Sequence, residues 1–172
     1  MSTEDQTAST APGWVIRPAA GTDWPAVWEI LEPVIRAGET FTWDRDTTEH
    51  QARERWFKQA PGQTFVAAGR GELAGVILGT GELHANQGGG GSHVANAGYM
   101  VHPAHGGKGV ARALCAYSLD AARAAGFRAM QFNAVVEAMS GPLRPGGPWA
   151  SRCWPPSRTR SCTRAWAMWA CS

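Results

Sequence analysis

Apolar and polar positions along this chain follow two rhythms, and glycine and proline mark the points where one gives way to the other. Trp14-Val15-Ile16-Arg17 reads as a short strand, and Pro18 to Thr22 then turns the chain into a helix that Thr22 or Asp23 caps. The series Val27, Ile30, Leu31, Val34 and Ile35 has helical spacing. Pro33 lies inside it, which predicts a kink or two shorter pieces. Thr48 with Gln51 matches a capping box. The helix it opens runs through Ala52, Arg55 and Trp56 to Lys58 and stops before Pro61-Gly62. Gln63 to Ala68 and Glu72 to Thr80 are runs rich in β-branched and apolar residues, joined across Gly69-Arg70-Gly71 as a hairpin.

Beyond the hairpin the pattern loosens. Gln87 to Ser92 is glycine-rich, poor in packing groups, and reads as the loop leading to a strand over His93 to Val101. A helix is expected from about Gly109 to Ala125, with Val110, Leu114, Tyr117 and Ala121 on one face and Gly126 as its C-terminal cap. Arg128 to Val136 has the apolar continuity of a buried strand. This order divides the chain into a loose polar tail over 1–13, one folded domain over 14–137, and an atypical segment over 138–172.

Charge alters the picture only when it is split along the chain. The 172 residues carry 16 basic and 14 acidic side chains, too even a balance to imply nucleic acid or an anionic membrane. All 14 acids lie at or before Glu137, whereas the segment from Ala138 has five Arg and no acid. No stretch approaches the apolar length of a membrane span, and the N-terminus has no signal-like apolar region, so a cytoplasmic protein is expected. Cys115, Cys153, Cys162 and Cys171 form neither a disulfide framework nor a zinc spacing, and no metal is expected.

The segment that carries chemistry is Tyr99-Met100-Val101-His102-Pro103-Ala104-His105-Gly106-Gly107-Lys108-Gly109-Val110-Ala111-Arg112. It runs from strand through glycine loop to helix without interruption, which suits a diphosphate. Glycines let backbone N–H groups approach the anion, the helix start adds unpaired donors and the positive end of its dipole, and Lys108 adds a charge. A P-loop fails because His102 stands where its first Gly belongs and Gly109 follows Lys108. A dinucleotide fingerprint fails because Arg112 stands where its third Gly belongs.

The same stretch resembles the acetyl-CoA-binding motif of the GNAT acetyltransferases, in which a strand ending in Val leads to Arg or Gln, x, x, Gly, x, Gly or Ala. Gly109 and Ala111 fill the small positions, and Gly106 stands where the family carries Arg or Gln. The element order agrees. The resemblance implies an α/β fold of the acyl-CoA N-acyltransferase type, a mixed and mostly antiparallel sheet flanked by helices. It implies acetyl transfer from acetyl-CoA to a small-molecule primary amine or amino acid by direct attack on the thioester. Met100, Val101, His102, Gly106, Gly107, Lys108, Gly109, Val110, Ala111, Arg112 and Asn133 are the implied cofactor contacts, with a backbone N–H near Met100 or Val101 polarising the carbonyl. Because the family varies its base, Glu82 stands first, followed by His84, His93 and Tyr99. A homodimer is left open.

From Ala138 onward the chain lacks Asp, Glu, Lys, His, Asn, Gln, Phe, Tyr, Ile and Val but is rich in Trp, Arg, Pro, Ser, Ala and Cys. Neither core nor evolved disorder asks for that composition, and pairing by amphipathic pattern is not expected in it. An adjacent reading frame compatible with these codons passes through Leu-Gly-Phe and strand-like runs, as the C-terminus of this family does. A frameshift near codon 138 would have removed the last helix and the final two strands, leaving an open sheet edge. The alternatives are an inactive CoA-binding remnant and a binding protein whose Arg and Trp tail contacts nucleic acid.

Overall fold

The computed structural model describes residues 13–132 and the backbone of Trp169–Ala170. In chain order its elements are β1 (Trp14–Pro18), α1 (Trp24–Ala37), α2 (Glu49–Trp56), β2 (Gln63–Gly69), β3 (Ile77–Ala85), β4 (Val94–Val101), α3 (Val110–Ala124), β5 (Ala129–Met130) and β6 (Trp169–Ala170). The strands form one sheet in sequence order. Every neighbouring pair is antiparallel except β4 and β5, which α3 joins in parallel. This is the mixed α/β architecture expected from the sequence.

The sheet separates two apolar clusters. On one face α1 and α2 bury Val27, Ile30, Leu31, Ile35 and Trp56 against Val66, Ile77 and Met100. On the other, α3 lays Val110, Leu114 and Ala122 on Phe65, Ala67, Leu78 and Leu83. The buried stripe of α3 runs through Val110, Leu114, Ser118 and Ala122, while the expected Tyr117 and Ala121 flank it half-buried.

α1 runs through Pro33 as one helix, so the two shorter pieces that the sequence allowed as the alternative to a kink do not occur. Pro33 and Glu29, whose carbonyl loses its helical donor, both lie on the exposed side, so water can take that bond. The capping box of α2 forms as read: Thr48 Oγ1 accepts from the Gln51 N–H at 3.3 Å, and Gln51 Oε1 accepts from the Thr48 N–H at 2.9 Å.

β3 begins at Ile77 rather than Glu72. The connection is longer than a tight hairpin because Leu73 packs on the α3-side core. To bring it there the chain turns tightly over Gly71–Leu73 and closes with Gly69 N–H on the Val76 carbonyl, using Gly71 and Gly75 at positive φ. A bulge follows: Ala67 pairs with Gly79 and Ala68 with Ile77, leaving Leu78 between them. The alternation slips there: Leu78 and Gly79 both face α3, while Ile77 faces α1 and α2.

Asp23 stands at the start of α1 but makes no side-chain cap to it. Its carboxylate accepts from the Ala20 N–H at 2.7 Å and from both Arg17 guanidinium nitrogens at 2.7 and 2.8 Å. The Arg17 bonds hold the Asp23 carboxyl below the usual carboxylate range; burial opposes them and the Ala20 N–H assists. A lowered folded-state value contributes stability above the unfolded value of about 3.9, which is lost as pH falls through the lowered one. Asp23→Asn is therefore expected to reduce stability at neutral pH and to flatten its loss on the acid side. Urea melts across that range check this.

β5 is described as a two-residue strand within the longer run expected over Arg128 to Val136; residues from 133 on lie outside the described part. Of the expected atypical segment, only Trp169–Ala170 is described. It pairs antiparallel with β5, so the sheet continues past β5 where an open edge was expected.

Candidate active site

Two places on β4 and its flanks gather the chemistry. The first is the turn from β4 into α3. A short helical turn, Pro103–His105, leads to Gly106 in extended conformation and then to Gly107 and Gly109 at φ +75° and +81°. A Cβ at Gly107 or Gly109 would meet nothing within 4 Å, so the glycines serve backbone conformation and leave the loop open to one side. Gly109 is the N-cap of α3, and the first turn has neither a side-chain cap nor an acidic residue. The first helical bond is Ala113 N–H to the Gly109 carbonyl, so the amides of Val110, Ala111 and Arg112 precede the intrahelical ladder. Lys108 Nζ lies 3.4 Å from His105 Nδ1, and the His102 and His105 rings are 5.4 Å apart.

β4 delivers a ladder of backbone groups next to this loop. Asn86 N–H bonds the Val94 carbonyl and His102 N–H bonds the Leu78 carbonyl, so even-numbered residues of β4 face β3. Odd-numbered residues face β5, as His93 and Ala95 show by accepting from Arg128 and Gln131. Beyond Ala95, the last β4 residue paired with β5 among the described residues, the amides of Ala97, Tyr99 and Val101 point to that side. Of Met100 and Val101, the amide of Met100 belongs to its pair with Thr80, and that of Val101 faces β5.

The second place lies on the α1–α2 face. Glu82 is 7 % exposed although it carries a carboxylate. Its Oε2 is 2.6 Å from His84 Nδ1 and 3.6 Å from Lys58 Nζ. Residues two apart on a strand share a face, which brings His84 beside Glu82. Lys58 arrives by a tertiary route. Thr64 pairs with Glu82 across β2 and β3; its hydroxyl accepts from the Lys58 N–H at 3.0 Å and donates to the Trp56 carbonyl at 2.6 Å. Gly98 stands opposite Glu82 on β4, where a Cβ would sit 3.1 Å from Glu82 Oε1 and 3.4 Å from the Phe41 ring. The bare backbone at Gly98 thus lets a carboxylate and an aromatic ring lie against β4 together.

Tyr99 occupies the opposite face from Glu82. Its ring packs against Phe65 and Phe132, and its hydroxyl lies 2.5 Å from Ser118 Oγ. Ser118 donates its own hydrogen to the Cys115 carbonyl at 2.8 Å, so Tyr99 is the donor in this pair. Burial is the main cause that pushes the phenol far above its ordinary range, with Cys115 adding to it. The surroundings of Tyr99 are those of a packing residue and do not suit a base. His93 is exposed at the other end of β4, with Nδ1 2.9 Å from the Gly90 carbonyl. Asn133 lies outside the described residues.

The structure adds Lys58, Thr64, Phe41 and Gly98 to the second place, none of which the sequence pattern singles out. Strand alternation was signal enough to join Glu82 with His84, whereas nothing local in the sequence joins Lys58 to them. Among the described residues no group of three or more His, Cys, Asp and Glu side chains gathers as a metal site, and no helix is long and apolar enough to cross a membrane.

A strand whose outward amides run on into a glycine loop and a helix start without a side-chain cap suits an extended, phosphate-bearing ligand. Comparison with known proteins names the class. The model of the acetyltransferase (GNAT) family matches residues 24–140. A GCN5-related N-acetyltransferase from Kribbella flavida is 41 % identical, over 73 % of this chain and 74 % of that one, with a TM-score of 0.68. Two further structures share the fold. yncA from Salmonella typhimurium, solved with its cofactor acetyl-CoA, is 24 % identical over 71 % and 70 % of the two chains, with a TM-score of 0.58. A phosphinothricin acetyltransferase from Sinorhizobium meliloti in complex with acetyl-CoA is 19 % identical over 70 % and 65 %, with a TM-score of 0.62. No curated protein matches the sequence significantly. The chain belongs to the GNAT family, and by that membership it is an acetyl-CoA-dependent N-acetyltransferase.

The residues present fit that co-substrate. The glycines at positive φ and the acid-free first turn of α3 suit a diphosphate, and the amides of Ala97, Tyr99 and Val101 suit an extended amide-bearing arm.

Proposed function

We propose that this chain acetylates a primary amine of a small molecule or amino acid, with Glu82 as the base that frees the amine for attack. The observation that carries the reading is a buried carboxylate beside the bare backbone of Gly98, with Lys58 and His84 at 3.6 and 2.6 Å. A primary amine is mostly protonated at neutral pH, so a proton must leave before the nitrogen can act as a nucleophile. Glu82 accepts that proton, and His84, 36 % exposed at its side chain, offers it a path to solvent. Lys58 sets a positive charge 3.6 Å from the buried carboxylate. The half-buried Phe41 ring next to Gly98 provides an apolar wall for the body of the acceptor.

Acetyl-CoA supplies the activated thioester. The amide N–H of Val101 or Tyr99, directed to the β5 side, is the donor suited to the charge that develops on its carbonyl oxygen. Gly107, Gly109 and the first-turn amides of α3, with Lys108, bind the diphosphate. Arg112 follows in the same turn.

Calorimetric titration with acetyl-CoA, followed by chromatographic measurement of CoA released in the presence of amino acids and small primary amines, tests the reading. Binding together with amine-dependent CoA release is expected. A folded chain that binds no acetyl-CoA at millimolar concentration overturns the whole reading, while binding without release by any amine overturns the acceptor and the base.

A further inference from the structure

The glycine loop carries more cationic chemistry than the motif requires, and it is arranged around one histidine. His105 lies between Lys108, whose Nζ is 3.4 Å from its Nδ1, and His102, whose ring centroid is 5.4 Å from its own. The Nδ1 of His102 is already committed, accepting the Ala104 N–H at 3.2 Å. Among the described residues no carboxylate is within ion-pair distance of His102, His105 or Lys108. α3 brings Arg112 and no acid in its first turn, and β4 reaches the loop through Met100 and Val101, which do not titrate. His105 therefore faces two basic neighbours and no anion.

Gly106 sharpens the point. Its backbone is extended at φ −60°, and a Cβ there would be in ordinary contact with the Pro103 carbonyl at 3.5 Å. The position could carry a side chain, yet it offers an anion no donor beyond its backbone. The side chains able to place positive charge at the loop are those on either side of it.

We propose that His105, resting on the acetyl-CoA reading above, takes up a proton from solvent when the cofactor's diphosphate enters the loop, so that the cofactor is held more tightly as pH falls. In the free protein partial burial, Lys108 and His102 all favour the neutral imidazole. A bound diphosphate, anionic throughout the neutral range, reverses that balance by supplying the missing counter-charge. The proton comes from the buffer, and nothing else is consumed.

The probe is dephospho-CoA, because the phosphomonoester of CoA titrates near pH 6 and would add its own proton. Calorimetric titration at about pH 6 and about pH 8 is expected to show roughly tenfold tighter binding at the lower pH, the equivalent of one unit of proton linkage. Heats near neutrality in two buffers of different ionisation enthalpy should report net proton uptake. His105→Gln should abolish both the pH dependence and the uptake. His105→Lys, which carries a fixed charge, should keep tight binding at both pH values. Equal wild-type affinity at both pH values without proton uptake overturns the proposal while leaving acetyl-CoA binding intact, as does a His105→Gln variant that retains the dependence. Failure of the wild type to bind acetyl-CoA or dephospho-CoA at either pH overturns this proposal together with the reading it rests on.

Discussion

Glu82→Gln is expected to lower the turnover of amine acetylation by about a hundredfold or more, the usual scale for loss of a positioned base, with acetyl-CoA affinity unchanged. The substitution preserves shape, so the hydrogen bond with His84 can persist through the amide and the β3–β4 pairing at Gly98 need not move. What it removes is the ability to take a proton and the counter-charge that Lys58 meets at 3.6 Å. The measurements are kcat and KM for the acceptor, and the affinity for acetyl-CoA by calorimetry. A variant with wild-type turnover would show that the amine loses its proton elsewhere. A loss confined to acetyl-CoA affinity would show that Glu82 acts through the fold. Lys58→Met should lower turnover less, because it leaves the carboxylate in place.

Trp56→Ala should destabilise the domain by about 3–5 kcal/mol, the range for deleting a buried aromatic side chain. Trp56 is 1 % exposed at the end of α2 and has edge contacts with Phe41 and Trp43. Its indole N–H donates to Thr80 Oγ1 at 3.0 Å, and that hydroxyl donates in turn to the Phe65 carbonyl at 3.1 Å. Truncation opens a cavity between α2 and the sheet and takes the support from Phe41, the proposed wall of the acceptor pocket. Trp56→Phe retains most of the packing and loses the indole bond together with part of the ring. It should cost about 1–2 kcal/mol, since Thr80 keeps its other partner. Denaturant midpoints for both variants check this, and equal losses in the two would assign the stability to the hydrogen bond.

The legible parts of this protein are those whose cause is local. Thr48 and Gln51 satisfy each other's backbone within one turn, so the start of α2 could be read from four residues. The β4–loop–α3 segment was readable for the same reason. Gly107 and Gly109 take positive φ and Gly109 caps α3, as a glycine-marked approach to an anion requires. Where distant packing decides, the sequence misleads. Leu73 displaces the start of β3 by five residues because it is drawn into the core under α3. Exposure lets Pro33 pass inside an unbroken helix.

The site divides along the same line. Sequence alone determined the glycine loop and the acid-free helix start to which the proposed function assigns the diphosphate, since backbone conformation and unpaired helix amides depend on neighbours in the chain. It determined too that Glu82 and His84 share a face, because strand geometry repeats every two residues. Only the tertiary structure decided that Tyr99 turns its hydroxyl to Ser118 on the far face of the sheet, that Val101 and not Met100 directs its amide toward β5, and that Lys58 reaches Glu82. Each of these depends on the register between strands far apart in sequence, and the bulge at Leu78 shifts that register partway along β3. A one-residue change in pairing exchanges the two faces of a strand, so no local pattern could have chosen between them.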